Sequence, residues 1–211
     1  MKDKDARFPK GFSYRPLYFS TEEQSTLIGA VKQGVLQAPF FIPTMPRTGT
    51  AMSVALSNFG PLGWVTDKDR GYRYEPRHPK NGAAWPELPS LLVKLWDEVT
   101  GYPARPEACL INWYRPESAS KMGMHVDNDE NELRAPVVSV SLGDPAMFRI
   151  GGPKRGGPTQ GIKLYSGDVV VLAQDARLCY HGVSKVFYGE SALVPRGGRI
   201  NLTMRRVHEV R

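Results

Sequence analysis

Beyond Ala108 the chain runs in short alternating segments, and Val138-Ser139-Val140-Ser141-Leu142 sets an apolar residue at every second position. Strand side chains point to opposite faces in turn, so this run buries one face of a sheet. Arg199-Ile200-Asn201-Leu202-Thr203-Met204-Arg205 has the same period. It places Arg199, Asn201, Thr203 and Arg205 on one face, with Ile200 and Met204 opposite. Strands are expected over 109–114, 137–142, 146–150, 162–165, 169–172, 178–181 and 199–206, each closed by turn residues. Numerous short strands after a helical start predict a mainly β fold with flanking helices, its core a double-stranded β-helix, or jelly roll.

The earlier part of the chain carries two helix signals. Ser20-Thr21-Glu22-Glu23 has the spacing of a capping box ahead of Leu27, Ile28 and Val31, which predicts a helix over 21–33. Leu88, Leu91, Leu92, Leu95, Trp96 and Val99 repeat at helical intervals until Gly101, which predicts a second helix whose stripe, Trp96 included, is core. Between them, residues 52–56 and 62–66 read as short strands. The expected organisation is one catalytic domain over 1–211. It comprises an N-terminal helical extension (about 1–44), a lid (about 45–86), and a helix plus jelly-roll core (about 87–211).

Composition narrows the class. Hydrophobic residues at 41% and charged residues at 23% are those of a globular protein, and no run reaches membrane-spanning length. The first ten residues mix charges and lack an apolar signal core. Cys109 and Cys179, the only cysteines, fit buried positions in a reducing cytosol better than a disulfide framework, so a cytoplasmic protein is expected. A net charge of +7 favours a polyanionic partner without naming one. The basic and aromatic residues interleaved between Trp64 and Arg77 suit phosphate contact with base stacking, and equally suit a solvated hairpin.

Chemistry enters with His125-Val126-Asp127. Taken as a strand segment, it projects His125 and Asp127 from one face, towards one ion. His181, 54 residues after Asp127, completes a two-histidine, one-carboxylate triad that suits non-haem Fe(II) and leaves positions open for a co-substrate and O2. A 2-oxo acid is the simplest electron source for such a site, and its far carboxylate calls for a cation. Arg199 and Arg205, with Asn201 between them, offer two guanidinium forks and an amide on one face. Asn112 and Tyr114 make a second same-face pair. Taken one at a time, the tripeptide is weak evidence and the arginines could be surface cations of an edge strand; their order along the chain gives them weight.

Taken together, Leu62-Gly63-Trp64, Cys109-Leu110-Ile111-Asn112-x-Tyr114, His125-x-Asp127-x-Asp129-Glu130, Leu133-Arg134-Ala135-Pro136, Tyr180-His181-Gly182 and Arg199-x-Asn201-Leu202-Thr203-x-Arg205 closely resemble the bacterial AlkB family of alkylation-repair dioxygenases. The resemblance spans roughly 51–206. It implies Fe(II) on His125, Asp127 and His181, and 2-oxoglutarate on Asn112, Tyr114, Arg199, Asn201 and Arg205. It also implies that Trp64 clamps a flipped base against His125 and that Asp129 reads its exocyclic amine. Tyr72 and Tyr74 resemble lid residues near the nucleotide phosphate, and Arg155 resembles another substrate contact. A buried lid anchor is the competing reading of Trp64. Residues 43–50 match no motif of the family.

The activity implied is Fe(II)- and 2-oxoglutarate-dependent oxidative demethylation of bases such as N1-methyladenine and N3-methylcytosine, releasing formaldehyde and succinate. The expected substrate is alkylated single-stranded or flipped-base DNA, with RNA as a second candidate, for a chain acting as a monomer away from membranes. The rivals are a same-core oxygenase acting on RNA only, on a small molecule or on a protein, and a metal-binding nucleic-acid reader without turnover.

Overall fold

A computed structural model describes residues 8–210; the chain start up to residue 7 lies outside the described residues. Strand β1 (Phe12–Arg15) precedes helix α1 (Thr21–Gln37), and β2 (Ala55–Phe59), β3 (Gly63–Asp67) and β4 (Gly71–Glu75) lead to α2 (Ser90–Thr100). Then come β5 (Ala108–Tyr114), β6 (Met122–His125), β7 (Val137–Gly143), β8 (Ala146–Ile150), β9 (Gln160–Leu164), β10 (Val169–Leu172), β11 (His181–Val186) and β12 (Arg199–Arg205). A six-stranded antiparallel sheet, β1-β10-β7-β12-β5-β2, faces a four-stranded one, β6-β11-β8-β9, as the jelly roll predicts.

Alternation decides which face does what. Ile111, Val138, Val140, Leu142, Ile200, Leu202 and Met204 pack with Leu27, Ile28 and Val31 of α1 and Leu92, Leu95 and Trp96 of α2. Trp96 is wholly buried, and truncating it to alanine removes contacts worth roughly 3–5 kcal/mol. The polar face of the same sheet is therefore turned inward, towards the four-stranded sheet.

Several expectations need correction. The N-terminal part is not only helical, because β1 closes the large sheet against β10. Helix α1 does cap through Ser20, whose hydroxyl accepts from the Glu23 amide while Glu23 reaches back, but it runs on through Gly34 to Gln37. A glycine at 34 suits the close approach of Phe59, whose ring lies 2.7 Å from where a Cβ would stand. Strand β2 lies later than 52–56 because Ser57 and Asn58 are interior polar residues with partners. The Ser57 hydroxyl donates to Ala38 O at 2.7 Å, and Asn58 pairs with both the N–H and the carbonyl of Trp64. The strand expected over 178–181 begins only at its last residue, His181, and runs on to Val186. A 3-10 helix, Gln174–Leu178, precedes His181, and Leu178 is exposed, as an apolar residue without a sheet neighbour can be.

The lid is built on the β3–β4 hairpin; the chain from Pro43 to Met52 closes on itself through Met45 N–H to Thr50 O and Met52 N–H to Pro43 O bonds and meets the hairpin where the Thr66 hydroxyl donates to Thr44 O at 3.2 Å. Trp85 anchors the hairpin by donating Nε1–H to Glu75 O at 2.8 Å. Gly63 lies so close over the Trp85 ring that a Cβ would stand 2.3 Å from it.

Candidate active site

The register of the large sheet sets the inner polar rows. Arg199 pairs with Tyr114 and Gly143, Asn201 with Asn112 and Ser141, and Thr203 with Leu110 and Ser139. The side chains of Tyr114, Arg199, Asn112, Asn201 and Thr203 thus face one cavity of about 500 Å3, whose opposite wall is Phe148, His181 and Val183 from the smaller sheet.

His125 and His181 are partners across the antiparallel pair β6–β11, with ring centroids 4.5 Å apart. Asp127 does not share the strand of His125, since β6 ends at His125 and Asp127 lies two residues past it. Convergence is preserved by arginines. Arg205 Nη2 donates to Asp127 Oδ1 at 2.5 Å, and Arg177 Nη1 donates to the Asp127 carbonyl. One ligand atom each from His125, Asp127 and His181 lies within 4.8 Å of the others.

The donor set fits a divalent iron. His125 Nδ1 faces Gly123 O at 2.8 Å and His181 Nδ1 faces Cys179 O at 3.0 Å, so both rings hold their N–H on the backbone and present a bare Nε2 to the centre. Asp127 Oδ2 is buried without a hydrogen-bond partner, with His181 Nε2 at 3.5 Å. Burial pushes the Asp127 pKa up. The charge of Arg205 beside it outweighs burial and holds it well below the usual carboxylate range, so the group stays anionic.

The two arginines of β12 differ in state. Arg199 is 1% exposed and donates Nη2–H to Ser141 Oγ at 2.9 Å, while its Nε and Nη1 are buried with no partner. Burial lowers its pKa, only partly offset by Tyr114, whose ring lies 5.1 Å from the guanidinium carbon. Two unpaired donors at the wall of the cavity are what a carboxylate of 2-oxoglutarate would satisfy.

Arg205 is not free in this way. Nη1 donates to Glu130 Oε1 at 2.9 Å and to the Tyr74 hydroxyl at 3.0 Å, Nη2 is taken by Asp127, and only Nε lacks a partner. Asn201 is also engaged: Nδ2 donates to Ser139 Oγ and Val140 O, and Oδ1 accepts from Thr203. Both line the cavity as expected, but most of their polar atoms serve the protein. Tyr74 does not line it. Its hydroxyl points inward, donating to Glu130 and accepting from Arg205, so its expected place beside a phosphate is corrected.

At the mouth, Trp64 stacks on Tyr72 with centroids 5.5 Å apart and donates Nε1–H to Asp129 Oδ2 at 2.8 Å. Arg155 also lines the cavity, donating to Met124 O at 3.1 Å. Sequence reasoning missed Ser139, Ser141, Glu130 and Arg177 as site residues. The serines were visible as the polar half of an alternating strand, and Glu130 as the neighbour of Asp129. Nothing in the sequence marks Arg177, which binds Glu130 Oε2 at 2.9 Å from a 3-10 helix.

A jelly roll with a histidine–aspartate–histidine centre and a buried unpaired arginine defines an iron- and 2-oxo-acid-dependent oxygenase. The profile of the 2OG-Fe(II) oxygenase superfamily matches residues 11–205. The alpha-ketoglutarate-dependent dioxygenase AlkB homolog of Caulobacter vibrioides is 48% identical over 198 residues, covering 93% of this chain and 87% of that protein. AlkB of Escherichia coli K12 is 42% identical over 196 residues, 91% and 88% of the two chains. The solved structure of OsALKBH1 superposes with a TM-score of 0.81 at 27% identity, covering 94% of this chain and 98% of that one. The chain belongs to the AlkB family of Fe(II)- and 2-oxoglutarate-dependent dioxygenases. No helix among the described residues is long and apolar enough to cross a membrane.

Proposed function

We propose that this dioxygenase removes alkyl groups from base nitrogens of nucleic acid, with N1-methyladenine and N3-methylcytosine in DNA as the primary lesions and RNA as a secondary substrate. The observation that carries the reading is the Trp64–Asp129 pair above His125, Asp127 and His181. A cationic alkylated base needs an aromatic face to stack on and a carboxylate to meet its charge, and both stand at the cavity mouth.

Iron bound with 2-oxoglutarate and O2 would supply the oxidising power to hydroxylate an N-methyl carbon, one oxygen atom going to the methyl group and the other to succinate, with CO2 released. Hydroxylation of the methyl carbon gives a hemiaminal, which loses formaldehyde and returns the base. The chain's own residues do the rest. His125, Asp127 and His181 hold the metal, and the backbone carbonyls of Gly123 and Cys179 keep each imidazole in the binding tautomer. Arg199, supported by Ser141 and Tyr114, binds the far carboxylate, while Arg205 keeps Asp127 anionic and turned to the metal. Leu56, Leu110, Phe148 and Val183 give the cavity apolar walls that exclude water.

Incubation of iron-loaded protein with 2-oxoglutarate, O2 and a methylated oligonucleotide tests the reading by mass. Loss of one methyl mass per lesion with stoichiometric succinate is expected; succinate without change in the oligonucleotide would point to a small-molecule or protein substrate.

A further inference from the structure

The four-stranded sheet has an outer face that the active site does not use. Register sets Lys185 on β11, Met147 on β8 and Lys163 on β9 in one row across the sheet. Arg149 lies two residues from Met147 and so on the same face. Beyond β8 the chain enters the loop that carries Arg155, a cavity-lining residue. The face thus meets the mouth of the site through the Arg155 loop; four residue steps of β11, about 13 Å along the strand, lead from His181 on the inner face to Lys185 on the outer one.

Its charge is concentrated and poorly neutralised. The Lys163 and Lys185 ammonium groups lie 4.2 Å and 4.7 Å from the centre of the same Phe187 ring. Lys163 also has Glu190 at 3.1 Å, a pair open to solvent that contributes little. Among the described residues no carboxylate lies within ion-pair distance of Lys185, Arg149 or Arg155. Arg149 is instead oriented by Thr159, to whose hydroxyl Nε donates at 2.8 Å. Tyr165, 47% exposed, flanks Lys163 at 5.2 Å. Crowded like charges with aromatics between them repel one another unless an external polyanion meets them.

We propose that this face, through Arg149, Lys163 and Lys185, is a secondary track for the phosphates of the substrate strand outside the cavity. The inference rests on the nucleic-acid reading above. A phosphate backbone is the polyanion that the active site would already hold by one nucleotide, and the ~13 Å along β11 to Lys185 sets a minimum of roughly four stacked nucleotides at 3.4 Å each. A strand leaving the mouth past Arg155 therefore reaches these cations several nucleotides from the lesion.

The test compares the whole protein with a variant combining Arg149→Gln, Lys163→Gln and Lys185→Gln, and with Lys185→Gln alone. The probes are a methylated trinucleotide and a methylated single strand of about fifteen nucleotides, each as DNA and as RNA. For the longer strand, the slope of log affinity against log salt should fall by about 0.7 for Lys185→Gln and about 2 for the triple variant. Trinucleotide turnover should stay at the wild-type rate. Unchanged salt slopes on the longer strand, with the trinucleotide still demethylated, would overturn the track and leave the active-site reading standing. If the wild-type protein neither binds nor demethylates either probe, the nucleic-acid reading fails and takes the track with it.

Discussion

Arg205 and Asp127 form a buried ion pair, Nη2 to Oδ1 at 2.5 Å, so the last residue of the C-terminal motif directly orients a metal ligand. Glu130 and Tyr74 hold the other arm of the guanidinium, and Arg177 holds Glu130 from behind. Lid, iron carboxylate and core strand are thereby joined through one cation.

The three metal ligands should not behave alike on substitution. His125→Ala, His181→Ala and Asp127→Ala should all abolish iron binding and turnover. Asp127→Ala also leaves a buried Arg205 donor unpaired, so metal-free Asp127→Ala should be less stable than metal-free His181→Ala by about 1–3 kcal/mol. Urea unfolding decides it, and equal stabilities would mean that Arg205 gains nothing from Asp127.

Arg199 is a charge buried for a ligand rather than for the fold. Arg199→Lys keeps the charge and loses the fork, so the half-saturating 2-oxoglutarate concentration should rise roughly 10- to 100-fold, the loss of one or two charged hydrogen bonds. Arg199→Met should abolish co-substrate binding and raise the unfolding temperature of the ligand-free protein, because an unpaired buried charge is replaced by an apolar side chain. A lower unfolding temperature would make Arg199 a structural residue.

Tyr74 ties the β4 hairpin to the metal carboxylate. Tyr74→Phe removes one hydroxyl from the Glu130–Arg205 pair, and metal affinity measured by calorimetry with Mn(II) should fall roughly 10- to 100-fold. Hydrogen exchange in 63–75 should also lose whatever slowing the metal confers on the wild type, since coupling between two sites is reciprocal. Wild-type values for both would reduce Tyr74 to lid packing.

Acid should destabilise the metal-free protein through Asp127 and Glu130. Burial pulls both pKa values up, and Arg205, with His181 for one and Tyr74 for the other, brings them below the ordinary range. Their folded values are depressed, so the stabilisation is complete above the unfolded values of about 4 and is lost as pH falls through the folded ones. The urea midpoint should therefore drop as pH falls from about 4 to 3, with a shallower drop in Glu130→Gln. A midpoint that stays flat over that interval would contradict the assignment.

Trp64 and Asp129 should separate stacking from charge recognition. Trp64→Ala should weaken methylated-oligonucleotide binding by about 1–3 kcal/mol without changing iron or 2-oxoglutarate affinity. Asp129→Ala should reduce activity on cationic N1-methyladenine and N3-methylcytosine more than on neutral adducts. Equal losses on both lesion types would assign Asp129 to holding Trp64, its hydrogen-bond partner.

Much of this was legible in order and period. The alternation of β7 and β12 announced a sheet with one apolar and one polar face, and the helical stripe ending at Trp96 and Val99 announced what covers the apolar one. The spacing of His125, Asp127 and His181 pointed to a metal because few other chemistries use that set. Boundaries were harder where interior positions are polar, as at Ser57 and Asn58, or where an apolar run meets no neighbouring strand, as at Leu178–Tyr180. Local pattern reports side-chain character and not partners.

By itself the sequence determined which residues could share a face, because strand and helix periods are properties of the local backbone. It therefore settled which polar residues share a row on β5, β7 and β12, and left to the tertiary structure that those rows turn inward. Only the tertiary structure decided which of those polar groups stay free for ligands. Asn201, Arg205 and Tyr74 are consumed by Val140, Asp127 and Glu130, partners tens of residues away, whereas Arg199 keeps two buried donors unpaired. Hydrogen-bond capacity is used up by contacts that exist only after the chain has closed, so no local pattern records it.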